Sequence, residues 1–186
     1  MIVLASQSPR RRELLSLICE DFTVEPADID ESITDCADIE KIPEHLALKK
    51  AEYISGRGYF NDIVIGCDTG VFLKNEMLGK PKNEADARRM LNALSGKKHK
   101  VITGCALVYK DRRICFSQCT KVEFYKLSQD EISAYINTGE PMDKAGAYGI
   151  QGKGGLLVKQ IQGDYFSVVG LPIAELYRCL KEIKNT

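Results

Sequence analysis

The opening segment, Ile2-Val3-Leu4-Ala5-Ser6-Gln7-Ser8-Pro9-Arg10-Arg11-Arg12-Glu13-Leu14-Leu15, constrains the fold more than any other stretch. Ile2–Ala5 reads as a short buried strand, and Ser6 and Gln7 fill a tight loop. Ser8 suits the N-cap of a helix and Pro9 its first position. Leu14, Leu15 and Ile18 then recur at helical spacing, which predicts a helix over Pro9–Cys19. A strand that feeds directly into a helix opens an α/β alternation. The same segment crowds three arginines at the positive end of the helix dipole, where cations are disfavoured and anions favoured. An anionic ligand with several oxygens would offset that cost, because free N–H groups and guanidinium forks converge on it. A solvated basic turn is the competing reading, and this segment alone does not separate the two.

The pattern continues in the same style. Phe22–Val24 reads as a short strand, and Ala27 to Ile42 as an acidic, irregular loop. A helix is expected from Pro43 to about Ser55, stopped by Gly56 and Gly58. Ile63–Cys67 is a buried strand that delivers Asp68, Thr69 and Gly70 at its carboxyl end. Val71 to Leu78 suits a small hairpin turning at Asn75. Asn83 caps a helix ended by Gly96. Lys100–Tyr109 and Ile114–Leu127 form a long hairpin. Ser128 caps a further helix to Ile136, Leu156–Ile161 is a strand, and Pro172 opens the last helix. Early alternation with a hairpin in the middle predicts a mixed-sheet α/β domain. No repeat, low-complexity stretch or linker interrupts it, so residues 1–186 read as one domain.

Composition narrows the partners. Lys plus Arg and Asp plus Glu both total 26, which argues against a general nucleic-acid binder with its broad basic face. The seven cysteines (19, 36, 67, 105, 115, 119 and 179) include no Cys-x-x-Cys pair, so reduced thiols in a cytoplasmic protein are expected. Met1–Ala5 is too short for a signal peptide and meets Arg10–Arg12 at once. No apolar run approaches membrane-spanning length.

Several residues sit oddly if only folding is considered. On the helix from Pro43, the residues Leu46, Ala47, Ala51, Tyr53 and Ile54 make the apolar face, and Lys50 falls near its middle. Lys50 either snorkels to water or reaches an anion in a cleft. Asp68, at a strand's carboxyl end, lies where ligands gather in α/β sheets. It suits a metal ligand or general base, although Asp-Thr-Gly would equally make a turn. Lys80 is held extended by Pro81. Glu31, in Asp28-Ile29-Asp30-Glu31-Ser32, is a candidate metal ligand in what otherwise reads as a plain acidic loop. From Asp143 to Gly155 the chain is dense in glycine, which lets backbone pass close to a ligand. Gln151, in the middle of that stretch, offers an amide able to read the edge of a base. His45 and His99 have no partners at ligand spacing, so any base is a carboxylate and any metal a hard one.

Together these blocks resemble the Maf family of nucleoside triphosphate pyrophosphatases. The carriers are Ser6-Gln7-Ser8-Pro9-Arg10-Arg11, Asp30-Glu31, Leu46–Ala51, Gly66-Cys67-Asp68-Thr69, Gly79-Lys80-Pro81, Leu94-Ser95-Gly96, Asp143–Gly152 and Val169-Gly170-Leu171-Pro172. The resemblance implies an elongated α/β fold, similar to inosine triphosphatase, with a mixed sheet, flanking helices and two lobes around a central cleft. It implies hydrolysis of a nucleoside triphosphate to monophosphate and pyrophosphate with Mg²⁺ or Mn²⁺. Asp68 matches the family's catalytic carboxylate and a metal position, with Glu31 a second metal position. Ser8, Arg10, Arg11, Lys50 and Lys80 match substrate-handling positions. Arg10, Thr69 and Gln151 match the subgroup acting on dTTP and UTP. Cys67 stands where the family has a small alanine, and Gly70 where a branched residue is common. A homodimer is suggested by the resemblance alone, and the family's naming after septum formation keeps a nucleotide-binding regulator of cell division as the alternative.

Overall fold

A computed structural model describes residues 1–32 and 38–184; Cys36 and the middle of the acidic loop lie outside them. The fold is mixed α/β, a seven-stranded sheet with flanking helices. The strands are β1 (Ile2–Ala5), β2 (Thr23–Val24), β3 (Ile63–Leu73), β4 (Glu76–Leu78), β5 (Lys98–Tyr109), β6 (Arg112–Phe124) and β7 (Val158–Gln162). Their order is β2-β1-β3-β5-β6-β7, with β4 paired to β3. The helices are α1 (Pro9–Ser16), α2 (Ile42–Ile54), α3 (Glu84–Leu94), α4 (Gln129–Ile136), α5 (Tyr165–Val169) and α6 (Ile173–Lys184).

The chain forms two compact units. Met1–Asp68, Thr103–Gln118 and the segment from Gly170 make the first; Thr69–Ile102 and Cys119–Val169 make the second. In the first unit β1 pairs in parallel with β2 and with β3, in the register Ile2 to Ile63 through Ala5 to Gly66. Parallel strands need both faces covered, and all four residues of β1 are buried. Val3, Ala5, Val64, Ala106 and Val108 pack against Ala47, Ala51 and Ile54 of α2. Two glycines let α2 lie this close. A Cβ at Gly66 would collide with the backbone of Ala47 and Ala51, and one at Gly104 with that of Pro43 and Glu44. In the second unit Ala87, Met90, Leu91 and Leu94 of α3 join Val122, Phe124, Ile132, Tyr135 and Leu157 in one core.

The caps act as expected. Ser8 accepts from the Arg11 N–H, Asn83 from the Asp86 N–H, and Ser128 forms a reciprocal box with Glu131. α1 ends at Ser16 rather than Cys19, β6 ends at Phe124 rather than Leu127, α5 has no counterpart in the sequence expectation, and two further elements differ in ways that bear on the site. β3 does not stop at Cys67; it continues through Asp68, Thr69 and Gly70 to Leu73, because Val71, Phe72 and Leu73 pair antiparallel with β4. Pairing with β4 across a tight turn thus overrides the turn character of Asp-Thr-Gly. The strand expected from Leu156 begins only at Val158, after a 3₁₀ turn over Gly152–Leu157.

Candidate active site

Within the first unit, α2 and β3 bring together three of the expected residues. Lys50 is only 7% exposed on the apolar face of α2, so it does not snorkel to water. Its Nζ lies 2.7 Å from Asp68 Oδ1 and 2.7 Å from Glu31 Oε1. Asp68 is 8% exposed, whereas Glu31 is exposed. The neighbouring Lys49 donates to the Asp30 carbonyl at 2.6 Å. The two lysines of α2 therefore fasten the Asp30-Glu31 segment beside Asp68.

Asp68 is placed in the middle of a long strand rather than at its end, which changes its electrostatics. Burial pushes its carboxyl above the usual aspartate range, with the Glu31 charge adding to that push. Lys50 and Arg11 act in the opposite sense without cancelling it. The result is a buried carboxylate with a raised proton affinity and a cation in hydrogen-bond contact, the environment of a tuned general base.

Arg11 reaches the same place by a different route. Its Nε donates to the Gly170 carbonyl at 2.9 Å, and its Nη1 to the Cys67 carbonyl at 2.9 Å and to Ser6 Oγ at 3.2 Å. It ties the start of α1 to the peptide immediately before Asp68 and to the turn before α6. Sequence reasoning placed Arg11 on a phosphate and missed this bracing role, since carbonyl partners 56 and 159 residues away leave no local signal. Ser8 is committed to capping α1, Arg10 beside it is half-buried, and Arg12 is exposed.

Cys67 adds a second feature behind the site. Its Sγ lies 3.6 Å from Cys105 Sγ, and both thiols are buried and free. Burial pushes the Cys105 thiol up, while the contact with Cys105 draws the Cys67 thiol down; both are fully buried, so neither is open to a substrate.

The remaining expected residues belong to the second unit. Thr69 is half-buried on β3, and Lys80 and Gln151 are exposed. The Gly146 N–H donates to the Gly79 carbonyl at 3.0 Å, which ties the Lys80 loop to the glycine-rich stretch. Gly146 adopts φ 68° against Val71, where a Cβ would lie 2.8 Å from the valine side chain. Glycine is required there both by conformation and by space.

The donor set fits a hard divalent cation. Asp68 and Glu31 direct carboxylate oxygens at one point, the ammonium of Lys50. One or two carboxylates, completed by water and substrate phosphate oxygens, is the usual protein contribution to a Mg²⁺ site. Among the described residues no group of three or more His, Cys, Asp or Glu gathers into a ready cage. No helix among them is long and apolar enough to cross a membrane.

Fold and site together define the class. The solved Ham1 protein of Staphylococcus aureus shares this fold, with a TM-score of 0.51 over 67% of this chain and 72% of that one at 20% identity. Residues 1–183 match the family described as Maf-like protein. The dTTP/UTP pyrophosphatase of Bacillus cereus (strain AH187) is 50% identical over 97% of this chain and 94% of its own length. The dTTP/UTP pyrophosphatase of Bacillus mycoides (strain KBAB4) is 48% identical over 99% and 96%. The chain belongs to the Maf family.

Proposed function

We propose that this protein is a nucleoside triphosphate pyrophosphatase that hydrolyses dTTP and UTP to the monophosphate and pyrophosphate. The observation that carries the reading is the buried Lys50–Asp68 pair with Glu31 on the same ammonium, in a chain half identical to two proteins named for that activity. Asp68 takes a proton from water as its oxygen bonds to the α-phosphorus, and the bond to the bridging oxygen breaks to release pyrophosphate. Lys50 keeps the Asp68 carboxylate ionised and aimed, and Arg11 fixes the peptide that carries it. The start of α1, with Ser8 and Arg10, and Lys80 supply N–H groups and positive charge to the phosphates. Each unit charge at about 4 Å is worth about 4 kcal/mol at an effective dielectric near 20. A divalent cation, Mg²⁺ or Mn²⁺, held by Asp68 and Glu31 would supply further positive charge against the phosphate oxygens. Thr69 and Gln151, with Arg10, select the pyrimidine. A cytoplasmic setting is supported by the free state of the six described cysteines, including a pair in contact.

The test is pyrophosphate release from dTTP, UTP, dCTP, GTP and 7-methyl-GTP, with Mg²⁺ or Mn²⁺. Preference for dTTP and UTP is expected. Preference for a purine would overturn the selectivity, and binding without metal-dependent turnover would overturn the enzyme reading. Asp68→Asn should abolish turnover while retaining nucleotide binding.

A further inference from the structure

Gln151 is exposed and its amide makes no hydrogen bond among the described residues. Its own backbone is extended, at φ −82° and ψ 163°, and the next residue, Gly152, turns left-handed at φ 63°. Nothing local to this glycine-dense stretch holds a free side chain in one direction. Two side chains from elsewhere in the second unit do so. On one side of Gln151 the Gly149 N–H donates to the Tyr135 hydroxyl at 3.2 Å. On the other side the carboxylate of Glu140 accepts from two N–H groups of the 3₁₀ turn: Lys153 N–H on Oε1 at 3.2 Å and Gly154 N–H on Oε2 at 3.3 Å. The same carboxylate lies over Gly152, where a Cβ would meet Oε1 at 3.0 Å.

Glu140 is itself fixed. Its N–H donates to Thr138 Oγ1 at 3.1 Å, and its carbonyl accepts from Lys144 Nζ at 2.6 Å. A carboxylate that accepts two backbone N–H groups makes charge-assisted bonds, stronger than neutral ones. It anchors the backbone two and three residues beyond Gln151. We propose that Glu140 is a positioning residue for nucleobase selection: its carboxylate sets the turn that aims the Gln151 amide at the base. This rests on the reading of Gln151 as the base-contacting group.

The experiment compares Glu140→Ala, Glu140→Gln and Gln151→Ala with the unaltered protein. Two readouts are taken: the ratio of kcat/KM for dTTP over dCTP, and inhibition by inorganic tripolyphosphate, which carries the phosphates but no base. Glu140→Ala should lower the ratio about tenfold, towards that of Gln151→Ala. Tripolyphosphate inhibition should stay within about twofold of the unaltered protein in all variants. Glu140→Gln retains one acceptor oxygen and should fall between. An unchanged ratio in Glu140→Ala beside a lowered ratio in Gln151→Ala would overturn the role of Glu140 alone. An unchanged ratio in Gln151→Ala would overturn the base-reading assignment, and this inference with it. Parallel loss of tripolyphosphate inhibition in Glu140→Ala would mark general damage to the fold and also overturn it.

Discussion

Lys50 Nζ and Asp68 Oδ1 lie 2.7 Å apart with their side chains only 9% and 12% exposed. Neither charge is cheap to bury, and each is tolerable because the other is there. Removing one partner is therefore worse than the pair's own net value suggests. Lys50→Met should lose turnover and about 3–5 kcal/mol of unfolding free energy at neutral pH, where Asp68 is left ionised without its cation. Denaturant unfolding at neutral and acid pH checks this. The loss should shrink in acid, where the carboxyl takes up a proton.

The raised proton affinity of Asp68 fixes the sign of two pH effects. The base must be ionised to accept a proton, so turnover should rise with pH along an acid limb lying above the ordinary aspartate range. For stability the folded value exceeds the unfolded one. The contribution is then fully present below the unfolded value and is lost as pH rises through the folded value. Unfolding of Asp68→Asn measured against the unaltered protein should show the difference moving in favour of the variant as pH climbs from the acid range to neutral. A difference that moves the other way would place the Asp68 carboxyl below the ordinary range, contrary to its burial.

The meeting of Lys50 and Asp68 depends on how closely α2 lies on β3, and Gly66 sets that distance. A methyl group at this position would meet the backbone of Ala47 and Ala51, which cannot give way as a flexible side chain could. Gly66→Ala should destabilise by about 1–3 kcal/mol, as overpacking does. It should also reduce turnover more than nucleotide affinity, because displacement of α2 separates the cation from the base. Denaturant unfolding and separate measurement of kcat and KM check both parts.

Much of this was legible in the chain, and what was not has a common cause. Ser8, Asn83 and Ser128 announced three helix starts because capping is a bond across three residues. Lys50 stood out because the helical period is short enough to reveal a cation in an apolar stripe. The unbroken run of β3 through Asp68 into the expected Val71–Leu78 hairpin could not be read, since Asp-Thr-Gly looks locally like a turn. Nor could the bonds of Arg11 to two carbonyls or of Glu140 to the turn after Gln151. Each joins residues whose separation in sequence carries no period, so only the folded backbone brings them together. Asp68, Lys80 and Gln151 stood out by position and chemistry before the resemblance attached roles to them, while the burial of Asp68 and the bonds of Glu140 became visible only in the folded protein.

His99 gives a pH effect of the opposite sign, far from any role in phosphate chemistry. It is 3% exposed, its Nε2 lies 2.7 Å from the Tyr148 hydroxyl, and its ring meets Phe124 and Tyr148 edge-on. Burial pushes its pKa from the usual 6.5 down to about 4. A lowered folded value means that the stability is fully present above the unfolded pKa and is lost as pH falls towards the folded one. His99 should therefore draw acid lability into the interval between about pH 6.5 and about pH 4, on the order of 3 kcal/mol across the whole of it. His99→Gln keeps an amide for the Tyr148 hydroxyl and does not titrate. Its unfolding free energy should start below that of the unaltered protein at neutral pH, and the gap should close as the solution is acidified through this interval. A gap of constant size would mean that His99 binds protons as readily folded as unfolded, which its burial among aromatic rings opposes.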